Sequence, residues 1–363
     1  MYSLLNGEII MCKYLFHSKK IRLLGSAVIV HLLLVGCSPG PNPSTVSNAT
    51  ILPTYVWSVA FSPDGHSIAA GYGGSGGDDV VRVWDFDTPT NKPIVLNGHT
   101  SQVNGVAFSP DGHSIASISE DDHTARLWDL QNPSSATTVL TGSTSLGNAI
   151  AFSSDGNTLA TGGDDEGIVR LWDLSQPTVS PVLLRGKSNS GASLSFSPDG
   201  SMLAAAEGEA VRVWYLHDLK DGPRELHPYG GPLWAVAFSP DSFLLAEGGV
   251  DKIVRVWDLR LQGANPPVIR LEGHIGTVKS LAFSPDGLTL ASASDDGTIR
   301  LWNVQQPQVP PMILVGHKGP VSSVAFSPNG QTLVSGGADG TLRLWEVKQP
   351  QATPVILSVA PNP

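Results

Sequence analysis

From residue 55 to residue 359, short apolar runs alternate with turns rich in Gly, Pro and Asp. The runs VWSVAF, VNGVAF, GNAIAF, GASLSF, LWAVAF, VKSLAF and VSSVAF end at Phe61, Phe108, Phe152, Phe196, Phe238, Phe283 and Phe326, each opening a Phe-Ser-Pro-Asp-Gly-like segment. Successive Phe residues are 47, 44, 44, 42, 45 and 43 positions apart. Each is followed by a Trp: Trp84, Trp128, Trp172, Trp214, Trp257, Trp302 and Trp345. A Leu lies twelve residues past every Trp except Trp257, where the gap to Leu271 is 14. Self-similarity at this period marks a repeat architecture. Within a unit the pattern predicts four short strands, in the sixth Val278 to Phe283, Thr289 to Ala293, Thr298 to Trp302 and Pro311 to Leu314. Pro sets φ and Gly accepts positive φ in the first turn, and Asp-Asp-Gly at 295 to 297 signals a hairpin. With no helical run between strands, each unit is an antiparallel meander, apolar on both faces, that must pack between two neighbours.

These residues resemble the WD-repeat β-propeller family. Trp84-Asp85, Trp128-Asp129, Trp172-Asp173 and Trp257-Asp258 carry its dipeptide, while Trp214-Tyr215, Trp302-Asn303 and Trp345-Glu346 depart from it. Gly-His occurs at 98-99, 273-274 and 316-317. The resemblance implies an all-β fold, a seven-bladed propeller with four antiparallel strands per blade, over residues 51–363. It also implies a buried hydrogen-bond set of His, Ser, Asp and Trp, which three units can complete: His99, Ser117, Asp122, Trp128; His274, Ser292, Asp296, Trp302; and His317, Ser335, Asp339, Trp345. A His-Asp-Ser trio also suggests a hydrolase, but recurrence once per blade points to satisfying buried polar groups. The fourth unit has Lys187 and Gly208 at the His and Asp positions, and the fifth has Tyr229 for His and Glu247 for Ser. Ring closure in this family usually borrows an N-terminal strand for the last blade. Here Ala49 falls in a polar stretch where that strand would lie, whereas Pro354-Val355-Ile356-Leu357 has the expected pattern. The seventh blade is therefore expected to take its fourth strand from its own C-terminal tail.

The N-terminus reads differently. Lys13, Lys19, Lys20 and Arg22 precede an apolar run from Leu23 to Val35, too short for a bilayer span and suited to a signal-peptide core. It ends in Leu34-Val35-Gly36-Cys37, which resembles the lipobox of bacterial lipoproteins. That resemblance implies cleavage of a signal peptide, 1–36, lipidation of Cys37 and a flexible tether over 37–50. The protein would then sit in the cell envelope, lipid-anchored on the extracytoplasmic side of a bacterial membrane. Met1 and Met11 are both candidate starts.

Composition narrows the function. The whole chain carries 22 Lys and Arg against 32 Asp and Glu; without residues 1–36, 18 basic and 31 acidic residues leave a net charge of −13. Nucleic acid, which needs a basic footprint, is not an expected partner. Both cysteines lie at positions 12 and 37, so the repeat region holds no disulfide or cysteine metal site. Gly71-Tyr72-Gly73-Gly74-Ser75-Gly76 matches G-x-G-x-x-G but runs into a strand, not the helix a phosphate cradle needs. The acidic turns at 120–122, 164–166 and 295–296 lack the ligand spacing of a calcium loop. An Arg two before each blade Trp recurs in all seven units, which suits a scaffold role. Lys279 is the single titratable residue of the seven innermost strands, whereas acid–base catalysis needs tuned pairs.

No cofactor or metal is expected, and the reading is a monomeric, non-catalytic scaffold binding an unidentified protein or peptide. Two alternatives stay open: a cytoplasmic scaffold with a misassigned start, and an enzyme with a surface site. In the family, the position four residues before each Phe often contacts partners; here it holds Trp57, Asn104, Asn148, Ala192, Trp234, Lys279 and Ser322. Trp57 and Trp234 are the two Trp outside the sevenfold set. Tyr55 lies on the same side as Trp57, and Asp121, Asp165, Glu207 and Asp295 precede the turns facing that rim. The expected site is thus an aromatic pair within an acidic rim, favouring a basic or neutral partner.

Overall fold

A computed structural model describes residues 54–75, 78–119, 121–141, 148–162, 167–186, 191–227, 230–261, 267–350 and 352–357. The signal, lipobox and tether residues lie outside the described residues. Seven four-stranded antiparallel sheets follow one another along the chain, each ordered innermost to outermost as the sequence runs. The sixth blade places its strands at Val278–Phe283, Thr289–Ser294, Thr298–Asn303 and Met312–Val315, within a residue of the expected bounds. One short 3-10 turn, Leu219–Asp221, interrupts the fourth.

The Trp and Leu spacings are explained by packing between blades. All seven repeat Trp side chains are buried, and each meets the Leu of the preceding blade: Trp128 with Leu96, Trp172 with Leu140, Trp214 with Leu184, Trp257 with Leu226, Trp302 with Leu271, and Trp345 with Leu314. Trp84 completes the series against Leu342, Leu344 and Leu357 of the seventh blade. Fully burying one such Leu stabilises by about 1.5–3 kcal/mol. The expected closure is observed: Val355–Leu357 pairs with Leu342–Glu346 as the last strand of its own blade.

Two further rings tie the blades together. Nearest the axis, backbone N–H groups of one blade donate to Ser Oγ of the blade before: Val106 to Ser58 (3.1 Å), Val236 to Ser193 (3.2 Å), Val324 to Ser280 (3.2 Å), and, across the closure, Val59 to Ser323 (3.1 Å). At the other end of the innermost strands, each Ser-Pro-Asp-Gly turn leans on the turn of the preceding blade. In the first, Ser62 Oγ donates to Asp64 (2.5 Å) and accepts from Ser67 N–H (2.8 Å). Gly65 turns the chain at φ 78°, where a Cβ would touch Pro328 of the seventh blade. The fifth blade has Ser242 at this place with φ 65°, and its Oγ accepts from Asp199 N–H of the fourth at 3.1 Å. Most outermost strands begin directly after a Pro, namely Pro93, Pro181, Pro223, Pro267, Pro311 and Pro354.

The departures from Trp-Asp are partly neutral in physical terms. Asp85, Asp129, Asp173 and Asp258 each accept a backbone N–H two residues on, closing the turn to the outermost strand. Asn303 does the same for Gln305 N–H at 3.0 Å, because the turn needs only an acceptor oxygen.

Candidate functional site

The start of each innermost strand is where the seven sheets converge, and there the ladder breaks. Pairing skips one residue between Val56 and Ser58, Gly191 and Ser193, Leu233 and Ala235, Val278 and Ser280, and Val321 and Ser323. The residues left out are Trp57, Ala192, Trp234, Lys279 and Ser322. Asn104 and Asn148 immediately precede the shorter innermost strands of blades two and three. A β-bulge re-aims the side chain it frees and bends the strand. The seven positions singled out in the sequence therefore form one set around the mouth of the ring.

On the side of blades five and six, Trp234 is 38% exposed, and Lys279 Nζ lies 3.5 Å from its ring centroid. Asp295 stands 3.8 Å from the same ammonium, beyond hydrogen-bond range. Burial lowers the pKa of Lys279, with Asp295 acting against it. In blade one, the Tyr55 and Trp57 rings meet at a tilt with centroids 5.7 Å apart, and Trp57 Nε1 is buried without a partner. Asn104 N–H donates to Ile118 C=O at 2.9 Å. Asn148 Oδ1 is buried with nothing donating to it. Asp121 is exposed and accepts from Ser101 Oγ at 3.2 Å. Asp165 lies outside the described residues.

Glu207 requires a correction. It is 2% exposed and forms an ion pair with Arg212, so it does not line the rim. The fourth blade turns tightly, pairing Glu207 with Ala210, so Glu207 is the last ladder residue and not a turn residue. Its carboxylate fills the space left by Gly186, where any Cβ would overlap it.

All three expected hydrogen-bond sets form. His99 Nδ1 is 2.7 Å from Asp122 and Nε2 is 2.7 Å from Ser117, which accepts from Trp128 Nε1 at 2.8 Å. The corresponding distances are 2.8, 2.7 and 2.8 Å for His274, Asp296, Ser292 and Trp302. They are 3.0, 2.7 and 2.8 Å for His317, Asp339, Ser335 and Trp345. Every proton is used once if Trp donates to Ser, Ser to His, and His to Asp. Gly98, Gly273 and Gly316 let this set lie flat on the blade Arg and Trp, which a Cβ would strike.

The Asp end reaches the surface loops. Asp122 accepts Thr100 N–H at 3.1 Å, Asp296 accepts Ile275 N–H at 3.0 Å and Asp339 accepts Lys318 N–H at 2.9 Å. Burial pushes the Asp122 and Asp296 carboxyls up, but the donors around them win and hold both down to about 2. The set thus fixes the loop residue next to each His and turns its side chain outward; Ile275 is 78% exposed.

Elsewhere the set is rebuilt. In blade three, Thr161 accepts from Trp172 at 3.0 Å. In blade one, Arg82 lies over Tyr72 at 4.6 Å and pairs with Asp78 at 2.6 Å. In blade five, Arg255 is shared by Asp251 (2.5 Å) and the buried Glu247 (3.3 Å), while Trp257 Nε1 and Glu247 Oε2 are buried without partners. Burial pushes the Glu247 carboxyl up to about 8. Asp251 was not singled out in the sequence, although it stands six residues before Trp257 as Asp122, Asp296 and Asp339 stand before their Trp, and that spacing is the signal that finds it. Five of the seven repeat Arg side chains are buried, consistent with a scaffold role.

A closed ring of seven four-stranded blades, with recurrent buried His-Ser-Asp-Trp sets and a bulge-built mouth, is a WD-type propeller. The family model for the WD domain, G-beta repeat, matches residues 48–85, 91–129, 134–173, 224–258, 265–303 and 308–346, and the chain belongs to that family. The unmatched stretch, 174–223, holds most of blade four, where Gly208, Ala205 and Tyr215 replace the characteristic residues. No curated protein matches the chain. Propellers of this family are typically platforms for protein–protein interaction.

Proposed function

We propose that this protein is a non-catalytic scaffold that docks a protein or peptide on the mouth of its propeller. We further propose that a lipid on Cys37 displays it on the outer side of a bacterial membrane. The docking reading rests on the bulges that place Trp57 and Trp234 at the mouth, where neither serves the inter-blade packing of the other seven Trp. A preformed aromatic surface costs little ordering on binding. Among the described residues, the innermost strands carry two titratable side chains, Tyr55 and Lys279, on different blades, and this lack of a close acid–base pair supports a binding role over a catalytic one.

Affinity capture from native membranes, with residues 45–363 as bait, should return a partner whose retention depends on the mouth. Trp57→Ala and Trp234→Ala should each weaken that partner by roughly 1–4 kcal/mol with little change in melting temperature. Unchanged affinity in the double variant would move the docking face elsewhere. For the anchor, mass spectrometry of the membrane-bound protein should find acylated Cys37 as its first residue, and Cys37→Ala should accumulate as precursor. Wild-type protein retaining residues 1–36 would remove the envelope assignment and leave the scaffold reading intact.

A further inference from the structure

Resting on the docking face above, the geometry points to a partner that presents a carboxylate: Lys279, stacked on Trp234, is the receptor for an acidic side chain or chain terminus of the docked segment. The expected acidic rim is thinner in the fold, and Asp165 lies outside the described residues. Glu207 is consumed by Arg212, and Asp295 is taken up beside Lys279. Among the described rim acids singled out in the sequence, Asp121 is exposed on blade two, away from this sector, and Asp295 is the exposed one within it.

Around Asp295, and beside a Glu272 paired with Arg270, apolar and cationic side chains face outward over blades five to seven. Trp234 and Val250 are each 38% exposed, Ile275 projects from the loop entering blade six, and Lys318 is exposed on the loop entering blade seven. That second loop packs on the turn holding Asp295, since a Cβ on Gly297 would lie 3.3 Å from Gly319 C=O. Lys318 and Lys279 thus flank one turn.

Lys279 is also incompletely paired. Its side chain is 25% exposed, yet its one carboxylate neighbour is 3.8 Å away, and the other face of the ammonium meets an aromatic ring. A half-buried cation with a loose counter-ion gains from a second carboxylate brought in from outside, and a cation–π contact holds it in position meanwhile. An aromatic face beside an ammonium suits a segment in which an acidic group adjoins an apolar residue. A basic segment would meet two lysines instead, and like charges brought together at a docking face cost affinity.

The test uses three fluorescent peptide pools of matched apolar content, one acidic, one neutral and one basic, titrated against the full propeller. The acidic pool should bind at least about tenfold more tightly than the other two. Lys279→Met, which keeps the aliphatic stem over Trp234, should cost that pool about tenfold or more, while Lys279→Arg should stay within a few fold of wild type. Melting temperatures of both variants control for folding. Acidic peptides that bind no better than neutral ones, or that bind Lys279→Met as tightly as wild type, overturn the carboxylate assignment. If another pool binds and Trp57→Ala with Trp234→Ala abolishes it, that assignment falls and the docking face stands. If binding of a pool is indifferent to both Trp residues, the docking face falls as well.

Discussion

Ser292 accepts from Trp302 and meets His274 within one buried site, so a single hydroxyl supports two ring nitrogens. Ser292→Ala should leave both unsatisfied and cost roughly 1–3 kcal/mol by chemical denaturation. The acid limb of stability belongs to the same sets. Asp122 and Asp296 sit near 2 in the fold, against about 4 in an unfolded chain. Their contribution is complete above about pH 4 and is lost as pH falls toward 2. Asp296→Asn should therefore flatten the melting temperature over that interval; an unchanged acid slope would assign it to other groups. Glu247 has the opposite sign. Its folded carboxyl keeps a proton up to about pH 8, while the unfolded chain releases it near 4.5. The native state thus binds the extra proton, and stability declines as pH rises between those values. Glu247→Gln should be stabilised relative to wild type at about pH 9, and less so at about pH 5. Equal differences at both would show Glu247 already ionised in the fold.

At the scale of elements, the strands were legible because each blade repeats one spacing of Phe, turn, Trp and Leu. That spacing encodes burial: the Trp of one blade needs the Leu of the blade before it. The bulges were not legible. They are a property of register, decided by how two strands pair, and VKSLAF reads the same with or without one. Glu207 was misplaced for a related reason, since a two-residue turn in blade four keeps it in the ladder, where its carboxylate pairs with Arg212. Closure was legible from where an apolar triplet falls. Leu357 is 4% exposed and packs with Val56, Trp84 and Leu342. Deleting residues 353–363 should lower the melting temperature far more than deleting 38–50, because it uncovers that cluster. Equal losses would mean that the N-terminal segment shares in closing the ring.

For the molecule as a whole, the two faces of the ring are built on different principles. The Ser-Pro-Asp-Gly end is repetitive, each turn resting on its neighbour from Gly65 against Pro328 onward. The mouth is where the repeats diverge most. The seven positions four residues before each Phe hold two Trp, two Asn, Ala, Lys and Ser, a diversity that scaffold packing does not require. The sequence marked these positions through family resemblance, but the stacking of Lys279 on Trp234 joins residues of two blades and has no sequence signal. The same holds for the charge of the rim, which depends on which acids are spent on internal pairs.

The self-contained last blade has a mechanical consequence. With its C-terminal strand completing its own sheet, the chain enters the ring at Thr54 directly into an innermost strand. That strand is laddered on both sides of the Trp57 bulge and bonded sideways to blade seven through Val59 and Ser323. A tensile load applied between the N-terminal segment and a partner held at the mouth would run through this strand, pulled along its axis so that many bonds share the strain. Val355–Leu357, a three-residue strand that a sideways pull would unzip bond by bond, lies outside that path. In the family's usual arrangement the entering strand is itself the closing one, and the same tension would fall on the seam of the ring.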